Sequence, residues 1–429
     1  DDDDDDSLSD PRDNGRDFYD CTVLLAASRN SSANGAASPV YDASRLGDML
    51  RQHGINFVGY DLSWHDCEAI CHTLTTFGHV IRKVVLRSCA ANSQHLIMIL
   101  SALRRCTHLN VLDLADMCLG TRHMQLVGNV VTTSRRSLRR LVLDSNWIGN
   151  EGADILISSL RRCSRLTRIS LGSCHLSGEG VGSVRRIISG CRRLCRINLE
   201  RNDVDDTSLA ELEPALASSL LHEINLRSNR LTSACAHSLE HVLFFSATLI
   251  RLDLSANRIG NCGLRRIAAA LATCSGLEEI LLGDIAITSS SLPILAALLP
   301  QFPDLELVDV SGNDFSSASP RQQQSFVDAV RRCVSLRKLA MPEEIVAARR
   351  SHVKGGVRAD FAFRLLALVD VPPCTDVFLG SRCMFGPITD ITQHSNDHVT
   401  VAQHCRKVPP ESPAVSSRRC STGEVVSGL

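Results

Sequence analysis

The sequence predicts an α/β solenoid, a curved horseshoe with short parallel strands on its concave face and helices on its convex face. Apolar residues recur in one fixed pattern, the copies follow at an almost constant interval, and each copy has room for one strand and one helix. Between Ile81 and Leu305 the copies begin 27–29 residues apart in eight consecutive steps. Such a persistent period is typical of a repeat array, here of about eleven units of about 28 residues.

The repeated pattern is L-x-x-L-x-L-x-x-N/C-x-L, and its clearest copy spans residues 138–148. The alternating leucines predict a short strand with one side in the core, so the other side faces solvent or a partner. The residues that follow have a 3.6-residue period, as in Cys262–Cys274, and predict the helix that returns the chain. Position nine is expected to turn inward and stack as a ladder. Its members are Asn146, Asn202, Asn229, Asn257 and Asn313, with Cys89 and Cys174 as substitutes.

Two segments that follow the pattern, Asn146–Ala153 and Asn257–Gly263, resemble the helix-entry segment of the ribonuclease-inhibitor class of leucine-rich repeats. The resemblance covers roughly residues 50–345 and implies the horseshoe fold. It implies little about function, because the same fold serves inhibitors, GTPase-activating proteins, innate sensors and cytoskeletal adaptors.

The composition changes on both sides of the array and predicts five segments. They are an acidic disordered tail (1–16), a helical cap (17–54), the repeat array (55–345), a cap or irregular region (346–406) and a disordered tail (407–429). Within the caps we expect short helices at Phe18–Leu25 and Ala43–His53, and a terminal helix at Ala359–Val369. These caps would cover the apolar ends of the solenoid.

The charge and the apolar pattern exclude several classes of protein. The chain has 46 basic and 47 acidic residues, which gives no global attraction to nucleic acid or to anionic membranes. No apolar stretch approaches the 18 residues of a membrane span. The six aspartates at the start are the opposite of a signal peptide.

Eighteen cysteines are present, and five of them stand three residues before the first leucine of a repeat. These are Cys106, Cys163, Cys191, Cys274 and Cys333. A recurring position of this kind indicates packing and not disulfide formation. We therefore expect a reducing environment and an intracellular, cytoplasmic protein, with the cytoskeleton or cilia as sites of association.

A search for catalytic motifs finds no phosphate-binding loop, no Cys-x-x-Cys pair and no His-Glu-x-x-His helix. Residues 65–72, 235–241 and 394–405 each contain histidine and cysteine and allow a metal interpretation. Core packing explains the first group, a solvated helix face explains the second, and the spacing of the third is too loose. We predict no catalytic residue, no metal and no cofactor.

The register places positions three, five and seven of each repeat on the concave face. Position three holds arginine in three consecutive repeats, at Arg140, Arg168 and Arg196, about 5 Å apart at strand spacing. Two interpretations stay open: neighbouring acids neutralise the arginines, or the basic stripe faces an anionic partner. The acids are Asp144, Glu200, Glu223 and Asp253. The candidate binding residues are Lys83, Arg87, Arg140, Asp144, Arg168, Arg196, Glu200, Arg227 and Arg251.

Three functional classes follow, and a non-catalytic scaffold that binds a protein partner on the concave face is favoured. The second class is a GTPase activator like the Ran-specific family, whose acidic segment after the repeats has no counterpart in residues 405–429. The third is an inhibitor of a basic enzyme, which requires an acidic concave face. Because aromatic residues are scarce, nucleic-acid binding by stacking is not expected. We expect a monomer without nucleic-acid or membrane partners.

Overall fold

The structure is a computed structural model that describes residues 50–51, 54–341 and 376–379. Its strands form one sheet in which the order in space follows the order in the chain and every neighbouring pair is parallel. The fold predicted from the repeats is therefore confirmed. The strands are β1 Ile55–Val58, β2 Lys83–Arg87, β3 Val111–Asp113, β4 Arg140–Val142, β5 Arg168–Ser170, β6 Arg196–Asn198, β7 Glu223–Asn225, β8 Arg251–Asp253, β9 Glu279–Leu281, β10 Leu307–Asp309, β11 Lys338–Met341 and β12 Asp376–Leu379.

One helix follows each of the first ten strands, as the 3.6-residue period predicts. The α-helices are α1 Trp64–Phe77, α2 Ser93–Leu103, α3 Thr121–Thr133, α4 Gly149–Leu160, α5 Gly178–Gly190, α6 Asp206–Ala217, α7 Ala236–Phe245, α8 Gly260–Leu271, α9 Leu292–Leu298 and α10 Pro320–Arg332. Short 3-10 turns at Ser233–Cys235 and Ser289–Ser291 lead into α7 and α9, and Leu299–Gln301 follows α9. Each helix packs on its neighbours and covers one side of the sheet.

The core lies between the sheet and the helices and runs the length of the array. The inward strand residues of one repeat, Leu141 and Leu143, are fully buried, as are Leu156 and Leu160 of the helix that follows. Because burial of apolar surface drives folding and each repeat covers its neighbour, the repeats stabilise one another in series.

The predicted ladder is confirmed at position nine. In Asn146, the side-chain Nδ2 donates to the carbonyls of Leu114 and Leu143, both at 2.8 Å. Its Oδ1 accepts from the N–H groups of Met117 and Leu119, at 3.2 and 2.9 Å. One amide side chain therefore pairs backbone groups of two consecutive repeats, which strand pairing leaves unsatisfied at the bend.

Cysteine replaces asparagine at this position in two repeats. The thiol of Cys174 lies 3.2 Å from the carbonyl oxygen of Leu143 and 3.4 Å from that of Gly172. Cys89 makes the equivalent contact with the carbonyl of Phe57. The residue before each ladder residue has a positive φ, which turns the chain out of the strand. Examples are Ser145, with a φ of 57°, and Ser173, with a φ of 52°.

The five cysteines at the helix ends are buried, as the packing interpretation predicts. Burial raises the pKa of Cys106 to about 12, and burial together with the nearby Cys191 raises that of Cys163 to about 12. All thirteen cysteines of the described residues are free thiols. These side chains fill the space beside the next strand and do not form cross-links.

Several predictions fall outside the described residues: the tail 1–16, most of the cap 17–54, the helix Ala359–Val369 and the tail 407–429. Of the predicted helix at Ala43–His53, Leu50 and Arg51 are described and helical. The strand β12 extends the sheet beyond β11 and lies in the segment 346–406, where the sequence indicated no repeat. No helix among the described residues is long and apolar enough to cross a bilayer.

Candidate protein-binding face

The solvent side of the sheet carries the row of position-three residues in register. Arg140 pairs with Arg168 across β4 and β5, and Arg168 pairs with Arg196 across β5 and β6. The register continues to Glu223 and Arg251 on β7 and β8. The structure therefore brings the predicted arginines together in one line, because each repeat advances the same backbone position by one strand.

Four of the predicted arginines are neutralised by a carboxylate on a neighbouring strand. The pairs are Arg87–Asp113 at 2.6 Å, Arg196–Glu223 at 3.2 Å, Arg227–Glu200 at 3.8 Å and Arg251–Glu279 at 2.5 Å. For these residues the first interpretation of the sequence, neutralisation within the sheet, holds. Glu200 also lies 3.6 Å from Arg201, so one carboxylate serves two guanidinium groups.

Arg140 and Arg168 differ from the other arginines, and we refer to them as the cationic pair. Within the described chain neither side chain forms an ion pair or a hydrogen bond, and the buried Nε of Arg140 has no acceptor. Burial, followed by the positive charge of Arg140, lowers the pKa of Arg168. Burial also lowers the pKa of Arg140. Both remain charged at neutral pH because guanidinium groups do not lose their proton in proteins.

Asp144, one of the acids expected to neutralise the concave arginines, makes its hydrogen bonds with other groups. Asp144 accepts hydrogen bonds from the hydroxyl of Ser170 at 2.6 Å and from the N–H of Gly172 at 2.6 Å. Asp144 therefore forms no ion pair with an arginine in the described chain, but its negative charge still favours the charged forms of Arg140 and Arg168. Burial raises the pKa of Asp144, although these two hydrogen bonds oppose the shift.

The prediction that position five lies on the open concave surface was wrong for seven repeats, in three of which the residue is an aspartate. Asp113, Asp253 and Asp309 are 4%, 2% and 2% exposed. Asp253 folds back and accepts from the N–H of Ser255 at 3.0 Å, and the positive charges of Arg227 and Arg251 also act on it. A short acidic side chain after a strand prefers the nearby backbone N–H, so position five stabilises the bend.

Lys83 begins β2, where it is half-buried and aligned with Val111 of β3. It forms no ion pair within the described residues and lies three repeats away from Arg168. The side chains predicted as one basic stripe thus divide into neutralised arginines, an isolated lysine and the cationic pair.

One exposed feature was missed by the sequence reasoning. The rings of Trp147 and His175 stack with their centroids 4.4 Å apart and their planes at 10°. Both occupy position ten, immediately after the ladder residue, and Trp147 is 65% exposed. A large aromatic in a loop position, where neighbouring repeats carry Cys118 and Asp203, was the available indication. We call Trp147 and His175 the rim stack.

The metal interpretations receive no support from the described residues, in which no group of three or more His, Cys, Asp or Glu side chains is placed to hold an ion. Cys67 is fully buried, and burial, followed by the nearby Cys71, raises its pKa to about 11. His241 lies 3.1 Å from Glu213 on the helical side. Residues 394–405 fall outside the described chain.

Comparison with known proteins agrees with this architecture. A family model described as Leucine Rich repeat matches residues 135–154 and 245–268. Pig (Sus scrofa) ribonuclease inhibitor is 31% identical over 197 residues, which cover 43% of this chain and 41% of the inhibitor. The chain carries leucine-rich repeats, and over these repeats it is similar to ribonuclease inhibitor.

The leucine-rich repeats also match part of a larger human (Homo sapiens) protein. The NACHT, LRR and PYD domains-containing protein 5 is 35% identical over 150 residues, 34% of this chain and 12% of that protein. The chain thus matches less than half the length of either relative. Among solved structures, this chain is similar to a chain of the yeast Rad7 and Elc1 complex. The match covers 75% of this chain and 82% of the chain in the complex, with 12% identity and a TM-score of 0.42.

Proposed function

We propose that the protein is a non-catalytic scaffold whose concave face binds an acidic segment of a partner protein. The cationic pair is the observation that carries this proposal. The two arginines stand on adjacent strands, which are about 4.8 Å apart. Neither forms an ion pair within the described chain, although the charges of nearby Asp113, Asp144 and Glu223 offset part of theirs. A partner carboxylate placed between Arg140 and Arg168 would supply the missing charge.

The physical reason is the cost of holding the pair unpaired. Like charges this close repel one another, and partial burial removes the water that would screen them. Guanidinium groups bind carboxylates through two parallel N–H···O bonds, which suits a planar acidic side chain. Binding therefore relieves repulsion as well as forming hydrogen bonds. The ion pairs nearby, such as Arg196–Glu223 and Arg251–Glu279, would gain less from a partner carboxylate because each arginine already has one.

The relative named ribonuclease inhibitor raises inhibition as a second function. Enzymes that bind nucleic acid present basic surfaces to the phosphates, so their inhibitor needs an acidic face. On the described concave face Asp113 is paired with an arginine, and Asp144 and Asp253 accept from backbone groups, whereas the cationic pair forms no ion pair. An acidic partner therefore agrees better with this face than a basic enzyme does.

The third class, activation of a GTPase, calls for a direct assay. The full chain would be added to GTPases recovered with it, and GTP hydrolysis would be followed by phosphate release. A scaffold leaves the hydrolysis rate unchanged. Acceleration that depends on Arg140 or Arg168 would instead assign the cationic pair to catalysis in trans and overturn the scaffold assignment.

The scaffold proposal is tested by differential capture. The full chain, the variant Arg140→Gln with Arg168→Gln, and a matched control are used as baits in a lysate of the source cells, followed by mass spectrometry. The control, Arg185→Gln with Arg265→Gln, removes two exposed helical arginines and so changes the net charge equally. We expect proteins retained by the wild type and the control but lost with the cationic-pair variant. Identical capture by all three baits would overturn the proposal.

A further inference from the structure

The rim stack and the cationic pair belong to the same two repeats. Arg140 and Trp147 lie in one repeat, and Arg168 and His175 lie in the next, 28 residues further along. Both pairs occupy equivalent positions, three and ten, on adjacent strands and the loops that follow them. The cationic pair and the rim stack therefore lie seven positions apart in each of the same two repeats.

The distance from the cationic pair to the rim stack is no longer than a short extended peptide. Seven residues separate Arg140 from Trp147, which limits the separation of their Cα atoms to about 25 Å. The bend at Ser145, where φ is 57°, brings these atoms closer than that limit. An extended segment of up to about seven residues spans this length.

The surface between the cationic pair and the rim stack offers little obstruction. Gly172 has no side chain, and Asp144 is turned toward Ser170 and the Gly172 N–H. A Cβ atom at Gly172 would lie 3.0 Å from Asn198 Nδ2 and 3.2 Å from Asp144 Oδ1. The absence of a side chain at Gly172 thus leaves room for the side chains of Asn198 and Asp144.

The rim stack has the character of a binding anchor. Indole rings contribute strongly to protein interfaces because they bury a large apolar area with few rotatable bonds. The parallel stack on His175 holds the Trp147 ring in one orientation while leaving it 65% exposed. A partner side chain that covers the ring would gain apolar burial without ordering a mobile group.

We propose that the cationic pair and the rim stack form one composite site for an extended acidic peptide segment, with an apolar or aromatic side chain within about seven residues of its acidic residue. The segment runs along β4 and β5, its carboxylate between Arg140 and Arg168 and its apolar side chain against Trp147. This inference rests on the proposed function and adds a second anchor, a direction along the strands and a spacing to it.

The chain provides a matched control for Trp147. Trp64 is also exposed, at 48%, and lies against a histidine, His95. Its ring centroid is 5.5 Å from that of His95 and the planes are tilted by 54°. Trp64 is at the start of α1, and the basic residues of the neighbouring strand β2 are Lys83 and the neutralised Arg87. Replacing it removes an exposed indole without touching the composite site.

The experiment uses a phage-displayed library of random twelve-residue peptides. The library is selected on the immobilised full chain after depletion on the variant Arg140→Gln with Arg168→Gln. The recovered peptides are synthesised with a fluorescent label, and fluorescence anisotropy gives their affinity for the wild type, Trp147→Ala, Trp147→Phe and Trp64→Ala. Circular dichroism confirms that each variant is folded.

We expect the peptides to share an acidic residue with an apolar or aromatic residue within seven positions. Trp147→Ala should weaken binding about tenfold or more, Trp147→Phe should restore most of the loss, and Trp64→Ala should have no effect. Peptides that need the cationic pair but bind Trp147→Ala normally would overturn the composite site and leave the proposed function standing. Recovery of no peptide that depends on the cationic pair would contradict both.

Discussion

Arg140 and Arg168 are aligned in register on two adjacent parallel strands, and within the described chain neither contacts a carboxylate. The same row contains Arg251, which meets Glu279 on the next strand at 2.5 Å. Arginines at the same position of the repeat thus form an ion pair in one part of the sheet and none in another. Under the proposed function, this difference separates arginines that stabilise the fold from arginines that bind a partner.

The first prediction concerns the free energy of unfolding. Arg168→Gln should leave it unchanged or raise it by up to about 1 kcal/mol, because the substitution relieves repulsion between like charges. Arg251→Gln should lower it by about 1–3 kcal/mol, since Glu279 is left half-buried without its partner. Urea unfolding followed by circular dichroism measures both. Equal losses for the two variants would show that Arg168 contributes to stability as a paired residue does.

The second prediction concerns the ladder. Asn146→Ala should lower the free energy of unfolding by roughly 1–3 kcal/mol, because it leaves the buried N–H groups of Met117 and Leu119 without an acceptor. Asn146→Cys should cost less, since Cys174 fills the same position in the next repeat and its thiol contacts two carbonyls. Asn229→Ala is the control, because Asn229 is only half-buried and should cost less than Asn146. A larger loss at Asn229 than at Asn146 would be inconsistent with burial as the cause.

The positions that build the core were predictable from the sequence, whereas the partners of the charged residues were not. Leu141, Leu143 and Asn146 recur at fixed offsets because every repeat must fill the same interior and pair the same backbone groups. That constraint is identical in each unit, so it shows as a period. The ladder and the alternation of strands and helices follow from it directly.

Ion pairing on the concave face follows no such period. Whether Asp144 pairs with an arginine or with a nearby N–H depends on the donors that the next repeat offers, here the hydroxyl of Ser170 and the N–H of Gly172. The rim stack was missed for a related reason, since Trp147 stands in a loop position where no recurring residue type marks its role. The sequence placed these side chains on one side of the sheet but could not distinguish the arginines that form ion pairs from those that do not.

A third prediction concerns the dependence of stability on pH. The Nδ1 of the buried His123 accepts from the N–H of Gly120 at 2.9 Å at the start of α3, so the ring must be neutral at that nitrogen. Burial, followed by the charge of Arg122, lowers the pKa of His123 below its ordinary value of 6.5. Folding therefore favours the neutral ring. Its contribution is complete above pH 6.5 and is lost as the pH falls through the lower folded value.

The matched variant for this prediction is His123→Gln, which retains a side-chain acceptor at the third helical position without a titrating ring. Between pH 7 and pH 5 the wild type should lose more unfolding free energy than the variant. Urea unfolding at each pH gives the two profiles. Parallel profiles would show that the Gly120 hydrogen bond does not depend on the protonation of His123.

A fourth prediction concerns thiol reactivity. Brief treatment of the native protein with iodoacetamide at pH 8 should modify the exposed Cys118 and Cys262, because access of the reagent limits the reaction. Cys106 and Cys174, whose pKa values burial raises to about 12, should react only after denaturation. Peptide mass spectrometry reports each site separately. Rapid native modification of Cys174 would mean that the ladder is open to solvent.

The most direct test of the acidic-partner assignment is an exchange of charges with a protein recovered in the capture experiment. Arg140→Glu with Arg168→Glu should weaken binding of that partner at least tenfold, and replacing the acidic residues of the partner segment by lysine should restore the affinity to the doubly substituted chain. The same lysine substitutions should abolish binding to the wild type. Isothermal titration calorimetry measures the four combinations. Unchanged affinity after charge reversal at Arg140 and Arg168 would contradict the assignment of this face as the binding site.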